Sequence, residues 1–403
     1  MSTFTPELQQ RIRSRIESIL PDLVTLRRDL HAHPELGYEE HRTSKVVQTQ
    51  LTEAGVEFVS GLGGGTGILG HLPGGSDRAV GLRADMDALP ITERTGCEWS
   101  STHDGVMHAC GHDGHTTMLV GAARVLASLS TEDPLPQPVS FVFQPAEEGG
   151  GGGLRMCEDG CLEGRVLGPA FKSMYGLHGW PAWPLGVVGS RPGAMLAASD
   201  RFEITVEGLG GHAAMPHTTQ DPVYAASLIV TALQQVVARN VNPVEGGVIS
   251  VTSIQGGSAF NVIPNTVRMG GTLRALEVDA LATARRRLAE VVEATARAAG
   301  CVATLDYTEG YPVTRNHPEA FECFESIARR TVGEDRVQPM EFPVMGGEDF
   351  SYYGQRVPAC FFVLGLLPPG TEAMPGLHHP EFDFNDEALA TGVELLCRLA
   401  LEA

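Results

Sequence analysis

At 403 residues the chain exceeds what one hydrophobic core usually serves, which predicts two domains. With 42% apolar and 19% charged residues it reads as an ordinary globular protein, and its 48 glycines imply many tight turns. A formal charge of -20, with no basic cluster to reverse it locally, argues against nucleic acid and anionic membranes as partners.

The N-terminal stretch is polar and amphipathic, with no apolar run to act as a signal peptide or membrane span, so a cytoplasmic location is expected. A helix over 6–31 should end at His33-Pro34, because proline excludes the helical conformation from the residue before it. The glycine-rich run from Gly65 to Gly70 has the letters of a dinucleotide fingerprint. It is followed by Pro73-Gly74-Gly75 instead of a helix, so it reads as a hairpin.

Strand-like runs at 79–83, 139–143, 174–178 and 360–364 alternate with helical patterns at 115–129 and 319–332. That alternation predicts an α/β domain with a mostly parallel sheet. Functional residues in such sheets gather past the carboxyl ends of the strands, where Asp85, Asp87, Glu147, Glu148 and His178 fall, the last as the end of its strand. The glycine run 149–153 suits a mobile active-site loop.

From about Arg201 the order becomes strand 201–207, helix 221–241, strands 248–254 and 266–274, helix 277–299 and strand 302–307. This βαββαβ order is ferredoxin-like and looks like an α+β insertion, 192–308, in a domain made of 1–191 and 309–403. Eight scattered cysteines suggest free thiols in a reducing compartment. Cys157 and Cys161 lack a second ligand pair and are expected to be buried small side chains.

The densest group of metal-ligating residue types is His108-Ala109-Cys110-Gly111-His112-Asp113-Gly114-His115, directly before an apolar helix. A thiolate and an imidazole two residues apart can face one metal, with Gly111 bending the backbone between them. Glu147 and Glu148 follow a buried apolar strand, where adjacent like charges are costly unless a cation neutralises one of them. One carboxylate can then ligate while its neighbour accepts the proton of the attacking water. His178 and His378 are weaker candidates when taken singly.

In combination, 83–90, 108–115, 144–149, 210–217, 261–265, 348–350 and 377–382 resemble the M20 metallopeptidase family. More narrowly they resemble its amidohydrolase branch, which includes hippurate hydrolases, N-acyl-amino-acid amidohydrolases and auxin-conjugate hydrolases. The resemblance implies a zinc-exopeptidase-like catalytic domain with an inserted lid and dimerisation domain, and two divalent ions per subunit. It implies Cys110, His112, Glu148, His178 and His378 as ligands, Glu147 as general base, and Asp87 beneath the site orienting a ligand. His212 would polarise the scissile carbonyl in the neighbouring subunit of a homodimer, while Asn261 and Arg274 would hold the substrate carboxylate or the oxyanion. His379 is a rival to His378, but the pattern of His, any residue, then Pro favours His378. The thiolate favours zinc or another borderline metal, with manganese, nickel and cobalt also open.

The expected reaction is therefore hydrolysis of an N-acyl amino acid to a carboxylic acid and an amino acid, with Glu147 returning the proton to the leaving amine. Three readings compete with it: a metallo-dipeptidase or carboxypeptidase of the same family, a cysteine hydrolase using Cys110, and a non-catalytic small-ligand-binding protein. The spare carboxylate of Glu147 argues against the last, since a structural metal site needs no base beside it.

Overall fold

The computed structural model describes residues 4–403; the first three residues of the N-terminal stretch lie outside the described residues. The first helix, Pro6–Ala32, opens with Thr5 Oγ1 accepting the Leu8 N–H at 3.2 Å and a proline in its first turn, where the missing N–H costs nothing. It buries Ile12, Ile16, Leu23 and Leu30 and stops before Pro34, as expected.

The chain forms two compact units. The first comprises Met1–Gly193, Arg315–Phe342 and Asp349–Ala403. Its eight-stranded sheet runs in the order Glu57–Leu62, Gly67–Leu72, Val139–Gln144, Ala79–Asp85, Phe171–Pro184, Ala359–Leu367, Val188–Ser190, Val337–Pro339. The strands from Val139–Gln144 to Ala359–Leu367 pair parallel, whereas antiparallel pairings join the flanking strands to them on both sides. Ala79–Asp85 and Val139–Gln144 are buried along their whole length, as parallel strands covered on both faces must be. Helices Pro6–Ala32, His112–Ser130 and Leu389–Glu402 pack against one another in the core of this unit.

Glu57–Leu62 and Gly67–Leu72 form the expected hairpin. Two local expectations need correction. His178 does not end its strand, which continues to Pro184 because Leu367 still pairs with it beyond an irregularity at Gly365. The glycine run is not loop throughout: Gly152 begins the helix Gly152–Glu158, and Gly152 and Gly153 are buried. A Cβ on Gly152 would lie 1.7 Å from the Pro145 carbonyl oxygen, so glycine here serves close packing and not mobility.

The second unit comprises Ala194–Thr314 and Pro343–Glu348. Its antiparallel sheet has the order Gly247–Gln255, Thr266–Ala275, Ala198–Glu207, Val302–Tyr311, with helices Pro222–Asn240 and Val278–Ala298 packed together. This is the ferredoxin-like arrangement. Ala198–Glu207 alternates buried and more exposed residues, the signature of a sheet covered on one face. Pro343–Glu348 joins this unit through Ala197 N–H donating to the Val344 carbonyl at 3.1 Å and Val344 N–H donating to that of Met195 at 2.9 Å. All eight cysteines are free, and Cys157 and Cys161 are buried as expected.

Candidate metal centre and its supports

Gly111 adopts φ 91° immediately before the helix His112–Ser130 and turns the chain between Cys110 and His112. A side chain there would be strained by that φ and would bring a Cβ within 3.2 Å of the Phe384 ring. Cys110, His112 and His178 bring one ligating atom each within 4.8 Å of the others, and so do Cys110, Glu148 and His378. Cys110 is common to both groups, so its sulfur is within reach of either. A further group of His112, Glu147 and Glu148 links them, so the structure gathers all five expected ligands and the expected base.

The imidazoles suit this use. His112 donates its Nδ1 proton to the Asp87 carbonyl at 2.8 Å, which leaves Nε2 buried without a hydrogen-bond partner. His178 donates its Nδ1 proton to the Gly179 carbonyl at 2.8 Å and turns Nε2 toward Cys110 Sγ at 3.3 Å. Such outward hydrogen bonds fix the tautomer that presents Nε2 as a ligand. The sulfur, nitrogen and carboxylate donors together fit borderline divalent cations. His378 Nε2 lies 3.1 Å from Glu148 Oε1, and His378 is held at φ 64° by its N–H bond to the Ala109 carbonyl at 2.7 Å. His379 instead accepts the Glu381 N–H on Nδ1 at 3.1 Å and joins none of these groups.

Without a cation the charges are arranged as a cation would find them. Burial, reinforced by the Glu148 and Glu147 carboxylates, pushes the Cys110 thiol well above its ordinary value. A cysteine nucleophile needs the opposite environment, which counts against Cys110 in that role. Burial opposes a charge on His112, but Asp85 and Asp87 outweigh it and hold its proton up to about 10. Glu148 is held below the ordinary carboxylate range, because the His378 hydrogen bond and the charges of His112 and His378 overcome its burial. Cation binding must release the protons on Cys110 and His112.

Asp87 supports both halves of the site. Its Oδ1 accepts the Glu147 N–H and its Oδ2 the Glu148 N–H, each at 2.9 Å, while its carbonyl orients His112. Below it, Arg83 donates to Asp85 Oδ2 at 2.6 Å, Gln144 Oε1 at 2.9 Å and Asp349 Oδ1 at 3.0 Å, all fully buried. Asp85 Oδ1 accepts from His115 Nδ1 at 2.7 Å, and His115 Nε2 accepts the Gly179 N–H at 2.8 Å. His115 thus ties the helix His112–Ser130 to the strand that carries His178 and is a support, not one of the expected ligands.

A second buried network lies behind Asp113. His31 Nδ1 bonds Asp113 Oδ2 at 2.8 Å, and Arg27 Nε approaches the same oxygen at 3.0 Å. His31 Nε2 also reaches Glu93 Oε1 at 3.3 Å. Burial works against the charge on His31, yet Asp113 and Glu93 raise its pKa to about 9. Glu93 is held down to about 2, the bonds from His31 and Thr95 overcoming its burial. Nothing local in the sequence joins these residues, since His31 and Asp113 are 82 positions apart.

His212, Asn261 and Arg274 belong to the second unit. His212 pairs with Val262, and the Ala213 N–H donates to the Asn261 carbonyl at 3.0 Å, so His212 and Asn261 share one exposed hairpin-like tip. His212 Nδ1 accepts the Ala214 N–H at 3.1 Å, which leaves Nε2 to carry the ring proton. Arg274 is part-buried and donates to the Met345 carbonyl at 2.9 Å.

Residues 81–402 match the model of Peptidase family M20/M25/M40. The IAA-amino acid hydrolase ILR1-like 4 of Arabidopsis thaliana is 40% identical over 382 residues, covering 94% of this chain and 84% of the plant protein. The hippurate hydrolase of Campylobacter jejuni is 36% identical over 396 residues, covering 96% of this chain and 99% of its own. Among solved structures, the YXEP protein of Bacillus subtilis, described as a dinuclear metal binding peptidase from the M20 family, superposes with a TM-score of 0.81. It is 33% identical, covering 96% of this chain and 98% of that one.

Proposed function

Because the chain belongs to Peptidase family M20/M25/M40 and is a metal-dependent hydrolase, we propose that it cleaves the amide bond of N-acyl amino acids to a carboxylic acid and an amino acid. The observation that carries this reading is Glu147, a buried carboxylate beside a five-ligand cluster organised on Cys110. Two divalent ions held by Cys110, His112, Glu148, His178 and His378 would supply Lewis acidity toward the amide carbonyl and acidify water. A thiolate among the ligands would favour zinc or another borderline metal, with manganese, nickel and cobalt as competitors.

Glu147 takes the proton of the attacking water and passes it to the leaving amine. Asp87 keeps that carboxylate in place through the Glu147 and Glu148 N–H groups. His212, with its ring proton at Nε2, donates to the carbonyl oxygen as negative charge develops there. Asn261 and Arg274 hold the substrate carboxylate or the oxyanion.

His212 acts in the neighbouring subunit of a homodimer in this proposal. Support comes from the outer strand Gly247–Gln255, which among the described residues pairs on one side only and offers an edge for a second copy. A cytoplasmic location accords with eight free cysteines and with no described helix being long and apolar enough to cross a membrane.

Hippurate, several N-acetyl-amino acids and an indole-acetyl amino acid, each incubated with metal-loaded protein, test the substrate class. Release of free amino acid from any of them is expected. Cleavage of unblocked dipeptides with none of these touched would replace the proposal by a dipeptidase.

A further inference from the structure

Glu40 is fully buried, and among the described residues no arginine, lysine or histidine pairs with it. A carboxylate in that position is costly unless its oxygens accept hydrogen bonds. One oxygen accepts the Thr66 hydroxyl at 2.6 Å, and the other accepts the Ala146 N–H at 2.8 Å. Ala146 immediately precedes Glu147 and has φ 50°, one of three non-glycine residues with positive φ among the described residues. The other two are Tyr38 and His378. Tyr38 donates its hydroxyl to the Gly150 carbonyl at 2.6 Å, and its ring lies 4.4 Å beneath the Arg155 guanidinium.

The segment 38–40 therefore holds both ends of the turn that carries Glu147 and Glu148. Asp87 takes the two N–H groups between them. Three consecutive amides, those of Ala146, Glu147 and Glu148, are committed to two buried carboxylates. That arrangement keeps Ala146 in a conformation alanine seldom adopts.

We propose that Glu40 is a positioning residue for the hydrolytic reaction: through the Ala146 N–H it fixes the left-handed turn that aims the Glu147 carboxylate. The inference rests on Glu147 serving as general base. Glutamine can still accept the Ala146 N–H and can donate its amide to Thr66, so Glu40→Gln should preserve the turn, whereas Glu40→Ala abolishes the acceptor. Tyr38→Phe releases only the exposed end.

The test combines amide hydrogen exchange of peptides covering 144–150 with steady-state kinetics on hippurate or an N-acetyl-amino acid, using metal-loaded full-length protein. Glu40→Ala should speed exchange in that segment at least tenfold and lower kcat at least tenfold. KM should stay within about twofold and metal content should be unchanged. Glu40→Gln should restore both, and Tyr38→Phe should show a smaller loosening. Unchanged exchange in Glu40→Ala would overturn the clamp whatever the substrate proves to be. Faster exchange with undiminished kcat, or a kcat loss matched by metal loss, would overturn the positioning role. If Glu40→Ala fails to fold, Glu40→Asp decides, because its shorter side chain keeps the charge but draws the carboxylate back from the Ala146 N–H: faster exchange and slowed turnover there with neither in Glu40→Gln support the clamp, and no change in Glu40→Asp overturns it. If the wild-type protein hydrolyses none of these substrates, the proposed activity fails, and the exchange results alone judge whether Glu40 fixes the turn.

Discussion

Cys110 is the residue on which the two ligand groups meet, so its removal should act on both. Cys110→Ala is expected to lower bound metal from two ions per chain to fewer than one, measured by elemental analysis after dialysis, without unfolding the protein. Retention of two ions would show that the sulfur is not shared. The expected ligands could be read at this scale because two stand on either side of Gly111 and a third lies beside Glu147. Glu40 and His31 could not be read in the same way, and the supporting role of His115 could not be told from its place in the cluster 108–115. Each acts on a partner far along the chain, Glu40 on Ala146 106 residues away, and a single buried acid or histidine carries no local pattern that announces such a bond.

Among the elements, the parallel strands were legible because burial on both faces leaves continuous apolar runs. The extension of Phe171–Pro184 past His178 was not, since it depends on pairing with Ala359–Leu367. The strand ends are bound together by the fully buried Arg83. Arg83→Met leaves Asp85 and Asp349 without their cation and should cost about 3–5 kcal/mol, read from denaturant unfolding. A loss below about 1 kcal/mol would mean that the network is readily replaced.

The helix Pro6–Ala32 is tied to the site through His31, whose charge the fold favours. A group whose pKa rises on folding gives its full contribution below its ordinary value of 6.5, and loses it as pH rises through about 9. Glu93 has the opposite sign: its contribution is present above its ordinary value of 4.5 and is lost as pH falls through about 2. Metal-free protein should therefore lose thermal stability between pH 7 and 10. The loss should be smaller in His31→Gln, which starts lower at neutral pH. Equal slopes in the two proteins would deny His31 this role.

For the whole molecule, length and the βαββαβ order announced two domains, but nothing in the sequence marked Pro343–Glu348 as part of the second unit. Its membership rests on pairing with Met195 and Ala197, about 150 positions earlier in the chain. The proposed dimer makes a prediction of its own. His212→Ala and Glu147→Gln subunits, each inactive alone, should regain about a quarter of wild-type activity when unfolded and refolded together, because half of the dimers then hold one complete site. No recovery would place His212 in its own subunit's site.

In the proposed reaction a Cys110-centred pair of metal ions works with Glu147 as the base. Glu147→Gln tests it most directly when metal content and turnover are measured on the same preparation. Metal content should be unchanged, with hydrolysis of the best N-acyl amino acid substrate slowed about 100- to 10,000-fold. Undiminished turnover, or turnover lost only in step with the metal, would contradict it.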